Sequence, residues 1–121
     1  MVAAKRNYIL KGKSGEYFAS LLLQKEGFKV IEKNFRSRFG EIDIIALRNL
    51  EYYFCEVKTR WNTHYGYPEE SVTKTKLERI KKTISYYLYK NNIKNTRFRI
   101  IIIAQIISNG KLYYQKLIYL D

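Results

Sequence analysis

The sequence has only one cysteine, Cys55, and only one histidine and one proline among its 121 residues. A single thiol excludes an intramolecular disulfide and a cysteine-rich zinc site, and it is typical of a protein in a reducing cytoplasm. The longest apolar stretch, around "IIIIAQII", is far shorter than the roughly 20 residues that a membrane helix needs. The first residues have no long apolar core, so we expect a cytoplasmic protein without a signal peptide.

Acidic residues are scarce relative to basic ones. The chain has 23 Lys and Arg against 11 Asp and Glu, which gives a net charge of +12 at pH 7. Such an excess attracts polyanions, with nucleic acid as the first candidate and an anionic membrane surface as the second. The length suits a single domain over residues 1–121.

The hydrophobic pattern predicts two helices and five strands in the order αβββαββ. The predicted helices cover residues 14–26, with Ser14 as N-cap, and 73–90; the predicted strands cover residues 28–36, 41–48, 51–58, 97–107 and 111–120. Hairpin turns are expected at residues 49–50 and 109–110. Because a helix separates the third and fourth strands, these two should be parallel. The predicted fold class is therefore α/β, with a mixed sheet flanked by helices.

Charged residues interrupt the second and third strands at regular places. If residues 49–50 form the turn, Asp43 lies opposite Glu56, and Glu41 lies opposite Lys58. Side chains alternate along a strand, so all four should share one face of the sheet. Two opposed carboxylates repel each other, and removing one in Asp43→Ala should raise stability in metal-free buffer. A cation between the two carboxylates would remove the repulsion.

This arrangement suits the hydrolysis of a phosphodiester. Asp43 and Glu56 offer the hard oxygen ligands that Mg²⁺ or Mn²⁺ accepts. Lys58 could orient or deprotonate an attacking water and stabilise charge on the phosphate. The alternative is that these are solvated residues on an open sheet face, with Glu41 and Lys58 as a simple ion pair. The joint pattern in a strongly basic protein favours the metal site.

Three stretches, "GEIDIIA", "FCEVKTR" and "YGYPEESVTKTK", strongly resemble the YraN-like family of uncharacterised bacterial proteins. That family is similar in fold to PD-(D/E)XK nucleases, which include restriction endonucleases and archaeal Holliday-junction resolvases. The resemblance implies a restriction-endonuclease-like core and a Mg²⁺- or Mn²⁺-dependent endonuclease. Asp43 matches the first acid of the nuclease motif, and Glu56 and Lys58 match its acid-x-lysine. Glu16 matches an acid that many of these nucleases add from the first helix.

Further residues are candidates for catalysis or for contacts with nucleic acid, and for two of them a simpler structural role is also possible. Glu16 would assist catalysis, or it only interacts favourably with the helix dipole. Lys76 lies on the flank of the apolar stripe of the second helix and could contact a phosphate, or its stem lies along apolar surface with the amine in water. The other predicted nucleic-acid contacts are Lys13, Arg60, Arg79 and Lys82, of which Arg79 and Lys82 should face away from the sheet.

The sequence thus predicts a metal-dependent nuclease that acts on structured or branched DNA, with catalytic residues Asp43, Glu56, Lys58 and Glu16. Analogy with junction-cutting nucleases suggests a homodimer. Two alternatives remain open. One is a nucleic-acid-binding protein of the same fold that does not cut, and the other is a basic adaptor in an assembly of RNA and protein. Only the nuclease needs the acidic site.

Overall fold

A computed structural model of the chain describes residues 15–61, 68 and 72–120, and within this part a single five-stranded sheet forms the centre of the fold. The strands are β1 (Lys29–Ser37), β2 (Gly40–Arg48), β3 (Glu51–Arg60), β4 (Phe98–Ser108) and β5 (Lys111–Leu120). Helix α1 covers residues 15–25, and helix α2 covers Lys74–Lys90. The predicted N-cap Ser14 and the predicted phosphate contact Lys13 lie outside the described residues.

The strands pair in sequence order, β1-β2-β3-β4-β5. The β1–β2, β2–β3 and β4–β5 pairs are antiparallel, whereas β3 and β4 are parallel. The parallel pair is the one whose strands are joined through α2, since such a pair needs a long crossover and a tight turn cannot make it. The predicted α/β class, with a mixed sheet flanked by helices and a restriction-endonuclease-like αβββαββ order, is confirmed.

Both predicted hairpin turns are present. Asn49 and Leu50 have φ angles of 52° and 66°, and Asn109 and Gly110 have φ angles of 52° and 76°. Two central residues with positive φ are the mark of a type I′ turn, whose twist matches that of the flanking strands. The turn at residues 49–50 fixes the register of β2 against β3.

The sheet buries a different apolar cluster on each side. The cluster on the α1 side joins Ala19 and Leu23 of the helix to sheet residues that include Ile44 and Cys55. Cys55 is fully buried, as the alternation predicts, and burial raises the pKa of its thiol. The cluster on the α2 side consists of Phe35, Ile42, Ile45, Phe54, Ile80, Ile84, Tyr87 and Ile100.

Helix α2 begins after Thr73, whose side-chain oxygen accepts a hydrogen bond from the backbone N–H of Lys76 at 3.1 Å. The helix packs on β2 and β1. At the contact, a β-carbon added to Gly40 would lie 3.2 Å from the Thr83 hydroxyl, and the φ of Gly40 is +147°. Only glycine fits this close approach without strain. Across the described segments, no helix combines the length and apolar character needed to cross a membrane.

Candidate active site

The regular alternation of β2 breaks at Asp43. Ile42 packs in the cluster on the α2 side, whereas Ile44 packs in the cluster on the α1 side. Residues two apart on a regular strand share a face, so the opposite sides taken by Ile42 and Ile44 show that the alternation is interrupted between them. In β1, Lys33 pairs with Ile44 and Phe35 with Ile42, so Asn34 between them lies opposite Asp43; its φ is 55°. Both strands are therefore irregular at the same place.

The side chain of Asp43 lies between β2 and β3. The ladder that joins these strands ends at the pair Ile44–Cys55. Beyond it, the Oδ2 atom of Asp43 accepts a hydrogen bond from the backbone N–H of Val57 at 2.7 Å. The predicted backbone pair of Asp43 with Glu56 is therefore absent, because the Asp43 side chain takes the position that the ladder would occupy.

The carboxyl groups of Asp43 and Glu56 nevertheless interact. Burial raises the pKa of Asp43 to about 7, together with the charge of Glu56 and a hydrogen bond shared with it. The Val57 N–H opposes this rise, and the charge of Glu41 adds a little to it. Two acids held this close destabilise each other when both are ionised.

Two lysines converge on Glu56, which is buried. The Nζ atom of Lys76 lies 2.6 Å from the Oε1 atom of Glu56, and the Nζ atom of Lys58 lies 3.7 Å from the same oxygen. Burial lowers the pKa of Lys58, and the neighbouring Lys76 lowers it further. Burial also lowers the pKa of Lys76, but its contacts with Glu56 and Lys58 outweigh this effect and raise it. The two amines therefore differ in how readily they release a proton.

A cleft of about 410 Å³ opens over Glu56. It is lined by Gly40, Glu41, Glu56, Thr73, Thr75, Lys76, Arg79 and Ile80. Arg79 is exposed and also borders the cleft, because Gly40 lets β2 approach the helix closely beside it. Lys82 is exposed on α2, and Arg60 is half-buried near the end of β3, two residues after Lys58.

Glu41 does not pair with Lys58, and that prediction is wrong. In the β1–β2 ladder Glu41 pairs with Arg36, and its Oε2 atom lies 3.4 Å from the Arg36 Nε. The reason is the end of the β2–β3 ladder at Ile44, beyond which β3 no longer pairs with β2.

Glu16 lies on α1, whose helix packs on the opposite side of the sheet from α2. Its Oε2 atom accepts a hydrogen bond from the Asn34 side chain at 3.3 Å. Because Asn34 lies opposite Asp43, Glu16 is linked to the irregular point of β2 through a neighbour. The structure brings Asp43, Glu56 and Lys58 together, and it brings Glu16 to the strand next to them.

Sequence reasoning missed Gln105, which fixes the start of α1. Gln105 is fully buried, and its Nε2 donates hydrogen bonds to the Gly15 carbonyl oxygen at 2.6 Å and to the Thr59 hydroxyl at 3.1 Å. A β-carbon at Gly15 would lie 2.9 Å from that hydroxyl, so the helix meets the sheet closely here. The sequence did contain a signal for this role, because Gln105 is a lone amide inside an otherwise apolar strand. A buried amide is normally hydrogen-bonded, so its partners could have been sought.

The donor set fits a hard divalent cation through two carboxylates. Within residues 15–61, 68 and 72–120, no group of three or more His, Cys, Asp and Glu side chains is arranged to hold a metal ion. Mg²⁺ keeps several waters and binds through one or two carboxylates, so Asp43 and Glu56 suffice for it. The pKa of Asp43 is raised first by burial and then by the charge of Glu56, and such a cation would relieve the second of these effects.

The fold and the position of these residues define an α/β domain of the restriction-endonuclease-like class. The chain matches the family described as "Uncharacterised protein family UPF0102" over residues 15–103. A UPF0102 protein of Persephonella marina is 45% identical over 88% of this chain and 90% of its own length. A UPF0102 protein of Clostridioides difficile is 47% identical over 77% of this chain and 82% of its own length. The chain belongs to the UPF0102 family, and the resemblance seen in the sequence is confirmed.

Proposed function

We propose that this protein is a metal-dependent nuclease that hydrolyses phosphodiester bonds in DNA, with structured or branched DNA as its substrate. The observation that carries the proposal is the convergence of Asp43 and two lysines on Glu56, which lines the cleft beside α2. Lys76 and Lys58 lie 2.6 Å and 3.7 Å from Glu56, and Asp43 interacts with the same carboxylate.

Asp43 and Glu56 would hold Mg²⁺ or Mn²⁺. The bound ion would neutralise charge on the phosphate and would lower the pKa of the water that attacks it. The Val57 N–H orients the Asp43 carboxylate through its Oδ2 atom. A hydrogen bond of this kind from the backbone holds a ligand in place before the cation arrives.

Lys58 would hold or accept the proton of the attacking water at its Nζ atom. Burial and the adjacent Lys76 lower its pKa, and an amine becomes a better base at neutral pH when its pKa falls. Arg79, which lines the cleft, and the exposed Lys82 would contact phosphates outside it. Arg60 would do so from the end of β3, as Lys13 would from the N-terminal segment. Glu16 would act indirectly, by holding Asn34 beside Asp43.

The test is a cleavage assay with purified protein and labelled DNA. Duplex, single-stranded and four-way junction DNA of one sequence are incubated with Mg²⁺, Mn²⁺ or EDTA. We expect metal-dependent cleavage that is strongest on the junction and lost in Glu56→Gln. A matched control is Glu51→Gln, which removes a carboxylate from the opposite end of β3. A homodimer, detected by sedimentation, would suit symmetric cutting of two strands.

The outcome that contradicts the proposal is the absence of cleavage on all three substrates with either metal. If the same protein still binds DNA, the non-catalytic nucleic-acid-binding alternative replaces the nuclease. If it binds no nucleic acid at low salt, the basic adaptor does.

A further inference from the structure

Lys76 occupies a position on α2 that is locally unfavourable for a cation. It is the third residue after the N-cap Thr73, and the first turn of the helix contains no acidic residue. The N-terminus of a helix carries partial positive charge, so acids are favoured there and lysines are not. At this position a capping box would place Glu or Gln. A carboxylate outside the helix would offset this cost.

That carboxylate belongs to Glu56. The Lys76 Nζ lies 2.6 Å from the Glu56 Oε1, and only 9% of the Glu56 side chain is exposed. The short distance and the burial identify a charge-assisted contact that water screens weakly. Lys76 is thus not a surface lysine with its amine in water. It reaches inward to the carboxylate that the proposed function assigns to a metal ion.

The charges of the site balance without a metal. Asp43 and Glu56 offer two negative charges when ionised, and Lys58 and Lys76 offer two positive charges. Glu41 is the last of the contributions to the raised pKa of Asp43, and its carboxylate is paired with Arg36. A divalent cation would leave two uncompensated positive charges in a partly buried cleft. A phosphate of the bound nucleic acid would compensate these two charges.

A metal ion and the Lys76 ammonium would compete for the Oε1 atom of Glu56. Mg²⁺ lies about 2.1 Å from a ligand oxygen. With the Lys76 ammonium 2.6 Å from the Glu56 Oε1, a cation on that same oxygen would lie no more than about 5 Å from the ammonium, a distance at which like charges repel strongly in a weakly screened site.

We propose that Lys76 is an internal counter-ion that a divalent cation must displace from Glu56, so that metal and nucleic acid bind cooperatively. The displaced ammonium moves to a phosphate of the nucleic acid. The inference rests on the proposed function for the identity of the ligands. It predicts that the cleft holds metal weakly until a polyanion is present. Cooperativity of this kind is reciprocal, so metal must strengthen nucleic-acid binding by the same factor.

The first measurement is Mn²⁺ affinity without nucleic acid, read from the electron paramagnetic resonance signal of free Mn²⁺ over EDTA-stripped protein. Lys76→Met should bind Mn²⁺ at least about five-fold more tightly than wild type, the lower end of typical coupling between sites. Lys76→Arg keeps the charge and should bind as wild type does. Lys81→Met removes an exposed charge from the same helix and should also leave the affinity unchanged.

The second measurement uses the reciprocal effect. The affinity of a labelled phosphorothioate oligonucleotide is read by fluorescence anisotropy with and without Mn²⁺ at constant ionic strength. Mn²⁺ should raise the oligonucleotide affinity of wild type and of Lys81→Met by the same factor. The factor should be smaller for Lys76→Met. Circular dichroism of each variant verifies that it is folded.

The outcomes separate this inference from the proposed function. Equal Mn²⁺ affinity in wild type and Lys76→Met overturns the counter-ion role and leaves the nuclease intact. Weaker Mn²⁺ binding by Lys76→Met also overturns it, because Lys76 would then support the metal site. If neither wild type nor any variant binds Mn²⁺, both the inference and the proposed metal-dependent nuclease are overturned.

Discussion

Asp43 accepts a hydrogen bond of 2.7 Å from the backbone N–H of Val57, across the point where the β2–β3 ladder has ended. One carboxylate thus has two opposing effects on the fold. Its charge is repelled by Glu56, and its oxygen satisfies an N–H that would otherwise lack an acceptor in the described ladder. A suitable substitution at Asp43 separates the repulsion by Glu56 from the hydrogen bond with the Val57 N–H.

The first prediction is an order of stability in EDTA at pH 8. Asp43→Asn removes the charge and keeps an oxygen for the Val57 N–H, so it should raise the free energy of unfolding by about 1 kcal/mol, the scale of a cross-strand pair. Asp43→Ala leaves that N–H without its acceptor and should lower the free energy of unfolding by about 1–3 kcal/mol. Denaturant melts of the two variants and wild type give the order.

The earlier expectation that Asp43→Ala is stabilising considered the repulsion alone. If Asp43→Ala proves as stable as Asp43→Asn, the Val57 hydrogen bond contributes little. If both variants are less stable than wild type, the two carboxyl groups do not repel each other in solution, and the argument for a cation between them is lost.

The second prediction concerns pH. The pKa of Asp43 rises from 3.8 to about 7 on folding. Between about pH 4 and pH 7 the native protein therefore binds more protons than the unfolded chain, and its stability should fall as pH rises through this range. The difference in stability between Asp43→Asn and wild type should grow over the same range and level off above about pH 7. Melts in EDTA across pH 4–9 measure it, and parallel curves for the two proteins would contradict it.

The third prediction separates metal binding from chemistry. Lys58→Met should keep Mn²⁺ binding, because the ligands Asp43 and Glu56 remain, but it should reduce cleavage about 10²–10⁴-fold, as loss of a general base does. Glu56→Gln should lose both metal binding and cleavage. Single-turnover cleavage and Mn²⁺ titration of the same preparations give the comparison. A Lys58→Met protein that no longer binds metal would show that Lys58 supports the ligands and not the water.

The fourth prediction is a steep salt dependence of DNA binding. In EDTA Lys76 stays on Glu56, so four predicted basic residues remain for phosphates: Lys13, Arg60, Arg79 and Lys82. If each contacts a phosphate, affinity should fall about 150-fold between 50 and 200 mM salt, from a slope of roughly −0.9 per contact. Lys82→Ala should reduce the slope by about one unit. Fluorescence anisotropy in EDTA measures the slope without cleavage.

The control for this slope is Lys94→Ala. Lys94 is exposed and precedes β4, whose first residue, Phe98, pairs with Tyr52 near the end of β3 that is distant from Lys58. This variant has the same net charge as Lys82→Ala and should keep the wild-type slope. If both substitutions reduced the slope equally, DNA affinity would depend on the net charge of the protein and not on a contact made by the exposed face of α2.

The local pattern of the sequence determined most of the fold. The two Asn-initiated turns predicted the hairpins at residues 49–50 and 109–110, and the apolar period predicted both helices. The helix between the third and fourth strands predicted their parallel pairing. These features depend on neighbours within a few residues, which is why the sequence reveals them. The position of Glu56 and Lys58 on one face of β3 followed in the same way from alternation.

Tertiary structure alone decided how the site is assembled. Alternation does not reveal the break at Asp43, because that break depends on Asn34 of another strand and on the Val57 N–H that replaces a ladder bond. The sequence placed Lys76 on the flank of a helix, but its contact with Glu56 depends on how closely α2 lies on the sheet. A long charged side chain can contact an opposite charge on another element. Its partner therefore depends on how the elements pack, and spacing along the chain does not reveal it.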